Sequence, residues 1–324
     1  MPSRFSLDNR LPADYVTNAL RADATAGFRA APYEMPSKWL YDKRGSDLFE
    51  LITRLPEYYP TLAEREIISR RSSEIASYSR AATLVELGSG YSRKTRLLLD
   101  ALTARGSLLR YAPLDISSSA LAEAGAAIRA DYPEITVSAT VADYESGLDL
   151  DAVPGPRLLA FLGSTLGNYD AGQRRAFYRT LSFALGPDDV LLLGVDLVKD
   201  PTVLVRAYDD AKGVTAQFNK NLLYVLNREL GADFDPDGFD HVAHWNPADE
   251  RIEMRLRART RQAVEIPGIG LTAQFAAGQD LRTEISCKFR PELLADELAE
   301  SGFAVSHWWT DQDERCALLM ASPN

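Results

Sequence analysis

The sequence predicts an α/β fold, with a doubly wound, mostly parallel sheet, a closing antiparallel hairpin and a second, discontinuous α+β domain. Three observations predict it. Short apolar runs alternate with segments of helical periodicity between residues 62 and 198. One run, through Glu86, leads into Gly88-Ser89-Gly90, a tight turn between a buried strand and a helix. Residues 199–288 break the alternation, beginning with helices and ending in strands, before the strand–helix theme resumes at Pro291.

The elements follow in order. A helix near 62–79 precedes the first strand, 83–87. The segment Ser92–Ala104 has helical periodicity, with Leu97, Leu98 and Ala101 spaced for one buried face. A second strand, Leu109–Asp115, is followed by a helix over Ser118–Ala130, and a third, Ile135–Ala142, ends at Asp143-Tyr144. The fourth, Arg157–Leu162, runs into the turn Gly163-Ser-Thr-Leu-Gly-Asn168, and helix 171–185 leads to the fifth, Val190–Leu197. Pro291–Ser301 is helical, with proline in the first turn and Gly302 as its stop. Phe303–Thr310 and Cys316–Ser322 read as a hairpin across the polar turn Asp311–Glu314. Residues 62–198 and 289–324 therefore form a nucleotide-type domain, and 1–61 with 199–288 a substrate-covering one. In Arg251–Arg259 apolar and charged residues alternate, as in a half-exposed antiparallel strand whose arginines lie on a solvated face.

A chain of 324 residues can bury a substantial core, and 46% hydrophobic with 25% charged content is ordinary for a globular protein. The net charge of −10 argues against a general binder of nucleic acid or anionic membrane, both of which need a basic footprint. No run approaches the roughly 18 apolar residues of a spanning helix, and the opening MPSRFSLDNRLPADY has no signal core. Cys287 and Cys316 make no disulfide framework, so the expected location is the cytoplasm. The three histidines are too few for a metal site, and His241-x-x-His244 places its two rings on opposite faces of a strand, so no metal is expected.

The glycine turn narrows the ligand. A dinucleotide fingerprint needs a third glycine where Arg93 stands. With an acidic residue at the strand end, the loop suits a cationic, phosphate-free nucleoside such as S-adenosylmethionine. Gly88 and Gly90 let backbone approach such a ligand. Asp115, 27 residues beyond Gly88, can accept both ribose hydroxyls, or it caps the next helix. Asp143 can accept from the adenine amine while Tyr144 packs on the base, unless the two form a solvated loop pair. Lys94 can reach the methionine carboxylate, although alone it reads as a surface lysine. Asn168 can orient an amino acid's amine and carboxylate, or serve as a turn asparagine. Glu284 and Ser286 stand two apart on a strand, so they share a face. Together they can accept from and donate to a ring with both kinds of nitrogen, as imidazole has, or decorate a surface. Tyr41, Tyr58 and Tyr208 can add hydroxyls.

Longer blocks narrow the reading further. KWLYDKRGSDLFELITRLPEYYPT (38–61), LVELGSGYSRKTRLLLDA (84–101), FLGSTLGN (161–168), LLLGVDLVKD (191–200), FNKNLLYVLNREL (218–230) and TEISCKFRPE (283–292) resemble the actinobacterial histidine Nα-methyltransferases of ergothioneine biosynthesis. The resemblance covers almost the whole chain. It implies a Rossmann-like class I methyltransferase fold with a discontinuous substrate-binding domain. It also implies S-adenosylmethionine-dependent trimethylation of the α-amino group of L-histidine to hercynine, through mono- and dimethyl intermediates, by a monomer. The nearest alternative is a methyltransferase of this fold acting on another small amino acid or amine. The resemblance assigns Gly88, Lys94, Asp115, Asp143 and Tyr144 to the cofactor, with phenylalanine in the family where Tyr144 stands. It assigns Asn168 and Tyr208 to the amino acid's amine and carboxylate. Tyr58, Glu284 and Ser286 fall to the imidazole, and Tyr41 and Met254 to the pocket, with Tyr41 a route for the departing proton.

Overall fold

The computed structural model describes residues 4–90, 92 and 94–324. Arg93, on which the dinucleotide argument turns, lies outside the described residues. In chain order the strands are β1 (Phe5–Asn9), β2 (Tyr33–Glu34), β3 (Thr83–Leu87), β4 (Arg110–Asp115), β5 (Thr136–Val141), β6 (Arg157–Phe161), β7 (Val190–Asp196), β8 (Phe239–Asn246), β9 (Arg251–Ala258), β10 (Gln262–Ile266), β11 (Leu271–Phe275), β12 (Asp280–Cys287), β13 (Phe303–Thr310) and β14 (Cys316–Pro323). The helices are α1 (Tyr15–Gly27), α2 (Lys43–Ile52), α3 (Tyr59–Ser79), α4 (Arg96–Arg105), α5 (Ser118–Asp131), α6 (Ala171–Ala184), α7 (Pro201–Tyr208), α8 (Val214–Leu230) and α9 (Pro291–Glu300). The chain divides into two compact units, one of residues up to Leu11, Pro60–Leu197 and Phe289–Asn324, the other of Pro12–Tyr59 and Val198–Lys288.

The first unit holds one sheet in the order β1-β5-β4-β3-β6-β7-β14-β13. All neighbours are parallel except β14, which runs antiparallel to both β7 and β13. The order reverses at β3, with β4 on one side and β6 on the other, and the crevice beyond the carboxyl end of such a switch strand is where doubly wound sheets take ligands. With the closing hairpin, this is the Rossmann-like class I methyltransferase arrangement. All five residues of β3 and all seven of β7 are buried, because helices cover both faces of the parallel strands. β1 lies at the edge, parallel to β5, where the sequence reading has no strand. Its burial is slight, so it carries no apolar run. Helix α4 starts at Arg96, four residues later than the periodicity suggested. Ser92 takes a left-handed φ of +52°, which a continuing helix cannot accommodate.

The second unit has a four-stranded sheet, β2-β12-β9-β8, and a separate hairpin, β10-β11. Helix α8 is its spine, burying Phe218, Leu222, Leu223, Leu226 and the amides Asn219 and Asn221. Strand β9 alternates as expected, but its charged face is a paired ladder rather than a solvated stripe. Arg251 and Arg255 both bind Glu253, and Arg255 and Arg257 both bind Asp280. Burial opposes the Glu253 charge, yet hydrogen bonds from Arg255, Arg251 and Asn246 hold its carboxyl down at about 2. Among the described residues no helix is long and apolar enough to cross a membrane.

Candidate active site

In the first unit the carboxyl ends of β3, β4 and β5 bring together Gly88, Gly90, Asp115, Asp143 and Tyr144. Gly88 and Gly90 take φ of +63° and +48°, which side-chain-bearing residues rarely adopt. A Cβ on Gly88 would stand 3.6 Å from the Tyr144 hydroxyl, so this ring lies against the glycine loop. Asp115 accepts the Gly90 N–H at 3.0 Å and the Ser117 N–H at 2.9 Å. The next helix is capped by Ser117, whose hydroxyl accepts the Ala120 N–H, so Asp115 holds the glycine loop and the turn before α5 rather than capping the helix. Each oxygen keeps a second lone pair for a ligand hydroxyl. Burial pushes its carboxyl above the ordinary range, against the pull of those backbone donors. Asp143 is buried and accepts the Glu145 N–H at 2.9 Å. Within the loop, the buried Ser89 hydroxyl has no hydrogen-bond partner among the described residues. A left-handed glycine cradle, an unpartnered buried hydroxyl and carboxylates at the next two strand ends together fit a nucleoside with ribose and amine donors.

Behind the loop, Glu86 is buried and accepts from the hydroxyls of Thr95 and Tyr111, while Ser92 and Tyr111 share a hydrogen bond of 2.8 Å. Burial pushes the Glu86 carboxyl up to about 7, offset in part by these donors and by the charge of Lys94. This network ties the end of β3 to the start of α4 and to β4. Lys94 is ion-paired to Glu64 of α3, which also accepts the Gly163 N–H at 2.6 Å. An ammonium carries three donors, so Glu64 orients Lys94 without exhausting it. Asn168 closes the 3₁₀ turn Thr165–Asn168 after β6 and is half-buried.

In the second unit the remaining site residues form one cluster. Tyr41 packs edge-on against Phe49 and Phe218 at 5.4 and 5.1 Å, Phe49 against Tyr58 at 6.0 Å, and Tyr58 against Tyr208 at 6.1 Å. The Tyr208 hydroxyl and Ser286 Oγ are 2.8 Å apart. Glu284 pairs with Met254 across the β12–β9 ladder, which puts both side chains on one face. Glu284 is buried, and burial pushes its carboxyl up to about 7 while the charge of Lys288 pulls it down.

Several residues of this site escaped the sequence reading. Lys288 is buried and donates to Ser286 Oγ at 2.8 Å and to the Tyr208 hydroxyl at 3.1 Å. It continues the two-residue alternation Glu284, Ser286, Lys288, and that was its signal. His241 binds the Tyr208 carbonyl oxygen and the Asn219 amide, both at 2.8 Å. It thereby holds the end of α7. Glu64 had no signal, because its partner Gly163 lies 99 residues away. Among the described residues no group of three or more His, Cys, Asp or Glu is placed to hold a metal ion.

Residues 20–323 match the family described as "Histidine-specific methyltransferase, SAM-dependent". The chain belongs to this family. A histidine N-alpha-methyltransferase of Mycolicibacterium smegmatis is 56% identical over 95% of this chain and 96% of that protein. One from Mycobacterium tuberculosis is 52% identical over 98% of this chain and 99% of its own length. Ergothioneine biosynthesis protein 1 of Neurospora crassa is 31% identical over 76% of this chain, which spans 30% of that larger protein.

Proposed function

We propose that this histidine methyltransferase acts on the α-amino group of L-histidine three times in succession, giving hercynine, the first step of ergothioneine biosynthesis. The observation that carries the reading is the buried acceptor–donor face of the second unit, Glu284 beside the Ser286–Tyr208 hydroxyl pair, in a chain that belongs to a histidine-specific family. S-adenosylmethionine, when bound, supplies an electrophilic methyl on a sulfonium, so the protein's task is positioning and desolvation. Gly88 and Gly90 would take its backbone-facing edge, Asp115 the ribose hydroxyls, Asp143 and Tyr144 the adenine, and Lys94 the carboxylate. Asn168 and Tyr208 would hold the amino acid's carboxylate and amine, and in the second unit Glu284, Ser286 and Tyr58 would hold the imidazole, with Met254 and Tyr41 as pocket walls. Asn168 would orient the amine, and Tyr41 or water would take its proton. A site that holds substrate by ring and carboxylate tolerates an amine that grows by successive methyls. The reading has a monomer working in the cytoplasm. An acidic chain whose two cysteines are buried thiols supports it.

The test is mass spectrometry of L-histidine incubated with protein and S-adenosylmethionine, beside histamine and other amino acids. Gains of one, two and three methyls on histidine, with histamine untouched, are expected. Methylation of a different amino acid in preference would overturn the pocket assignment while leaving the methyl-transfer chemistry intact.

A further inference from the structure

Glu284, Ser286 and Lys288 alternate along one stretch of chain, so they point to the same side, and all three are buried. The Lys288 ammonium, the Ser286 Oγ and the Tyr208 hydroxyl form a closed triangle with edges of 2.8, 2.8 and 3.1 Å. The ammonium also stands over the Tyr208 ring, 4.8 Å from its centroid, and its charge acts on Glu284. An ammonium has donors only, whereas a hydroxyl has one proton and two lone pairs. Each hydroxyl therefore gives one lone pair to Lys288. The phenol is the stronger acid, so its proton lies between the two oxygens, and Ser286 accepts from both Tyr208 and Lys288. With both its lone pairs used, Ser286 is set as a donor whose proton is directed away from the triangle, while Tyr208 keeps one lone pair. With an apolar residue at 288 either hydroxyl is free to turn its lone pairs outward instead.

We propose that Lys288 is a specificity-determining positioning residue. It locks Ser286 as a donor beside the acceptor Glu284, so that the face selects a flat ring with one N–H and one bare nitrogen. Neutral imidazole meets that requirement. A thiophene or phenyl ring offers neither group, and imidazolium offers a second N–H where the face already donates. The inference rests on the histidine reading above, because it needs the ring to meet Glu284 and Ser286.

Two measurements test it, both with S-adenosylhomocysteine present. In the wild-type protein, nitrogen NMR of ring-labelled L-histidine should show one protonated and one bare ring nitrogen in the bound state, and two protonated nitrogens would overturn the proposal. Competition calorimetry of L-histidine against β-(2-thienyl)alanine should show Lys288→Met lowering the preference for histidine by about 10- to 100-fold. Affinity for S-adenosylhomocysteine should hold, and Lys288→Arg should recover part of the preference. A preference kept in Lys288→Met but lost in Glu284→Gln and Ser286→Ala would defeat the role of Lys288 and leave the histidine reading standing. A preference kept in all three would defeat the histidine reading of this face. If no variant at 288 folds, the NMR result decides alone.

Discussion

Glu284 is the side chain whose chemistry is most exposed to pH. It needs a charge to accept an imidazole N–H, yet burial pushes its carboxyl up to about 7, and only the charge of Lys288 opposes that rise. The protonated acid cannot offer the same acceptor, so histidine affinity should fall as pH drops through 7. Free histidine adds a second loss in the same direction, because its ring gains a proton near 6.5. Well below both values two protons must be released on binding, and affinity should fall by about 100-fold per pH unit. Glu284→Gln removes one of them, so its affinity should be weaker throughout but fall only about tenfold per unit. Calorimetric titration with L-histidine between pH 5 and 8 reads both slopes, and equal slopes would take Glu284 out of the binding step. Asp115 carries a different lesson at this scale. Of its two readings, helix cap and ligand acceptor, the first falls to Ser117, whereas the carboxylate holds the Ser117 N–H, braces the loop through Gly90, and keeps lone pairs for the second.

Helix α7 ends at Tyr208, and the element that fixes this end is the sheet beside it. His241 of β8 binds the Tyr208 carbonyl, which can only accept, so Nε2 carries the proton and Nδ1 accepts from Asn219 of α8. Asn219 in turn accepts from Thr283 of β12 and donates to the Arg255 carbonyl of β9. The ring is thus held neutral, and burial lowers its pKa below 6.5, although its backbone hydrogen bond pulls the other way. The unfolded chain binds the proton more readily, so this contribution to stability is complete above about 6.5 and is lost as pH falls through the lower folded value. Glu86 and Glu284, both raised by burial, act oppositely, gaining stability as pH falls from 7 toward 4.5. The informative quantity is therefore the difference from His241→Gln, whose amide can accept from Asn219 and donate to the carbonyl without titrating. The wild type should lose stability relative to this variant below pH 6.5, at up to about 1.4 kcal/mol per pH unit. Denaturation followed at Trp245 measures it, and parallel curves would refute the buried neutral ring. Elements of this kind also show what a sequence displays. Strands β3, β4, β6 and β7 were legible because parallel strands buried on both faces make unbroken apolar runs. β1 was not, since an edge strand with little burial has no such run. The pair Glu284 and Ser286 was legible from its alternation. The brace formed by His241, Asn219 and Thr283 was not, because it joins three elements far apart in the chain.

At the scale of the whole molecule the chain passes between its two units at residues 11–12, 59–60, 197–198 and 288–289, so neither unit is a continuous piece of sequence. Within the first unit, Leu197 and Phe289 are bridged, and the Phe289 N–H donates to the Asp196 carbonyl at 2.9 Å. Segment 198–288 therefore has both its ends pinned for as long as the first unit is folded. Pro60 and Val195 line one small cleft of that unit, so the exit near 59–60 is held close to the exit near 197–198. Closing a loop costs entropy that grows with its length, and the first unit has already met this cost for the two segments that build the second. Loss of the first unit would leave residues 60–197 as a long slack loop between them. The second unit should therefore melt no later than the first, and a ligand of the first unit should protect both. The four tryptophans divide conveniently, with Trp39 and Trp245 in the second unit and Trp308 and Trp309 in the first. S-adenosylhomocysteine at 100 times its Kd adds about 2.7 kcal/mol, or roughly 4 °C for a cooperative chain of this length. Reporters at Trp245 and at Trp309 should rise together by that amount. A Trp245 transition that stays in place while Trp309 shifts would show two independently folding bodies and would end the argument from pinned ends.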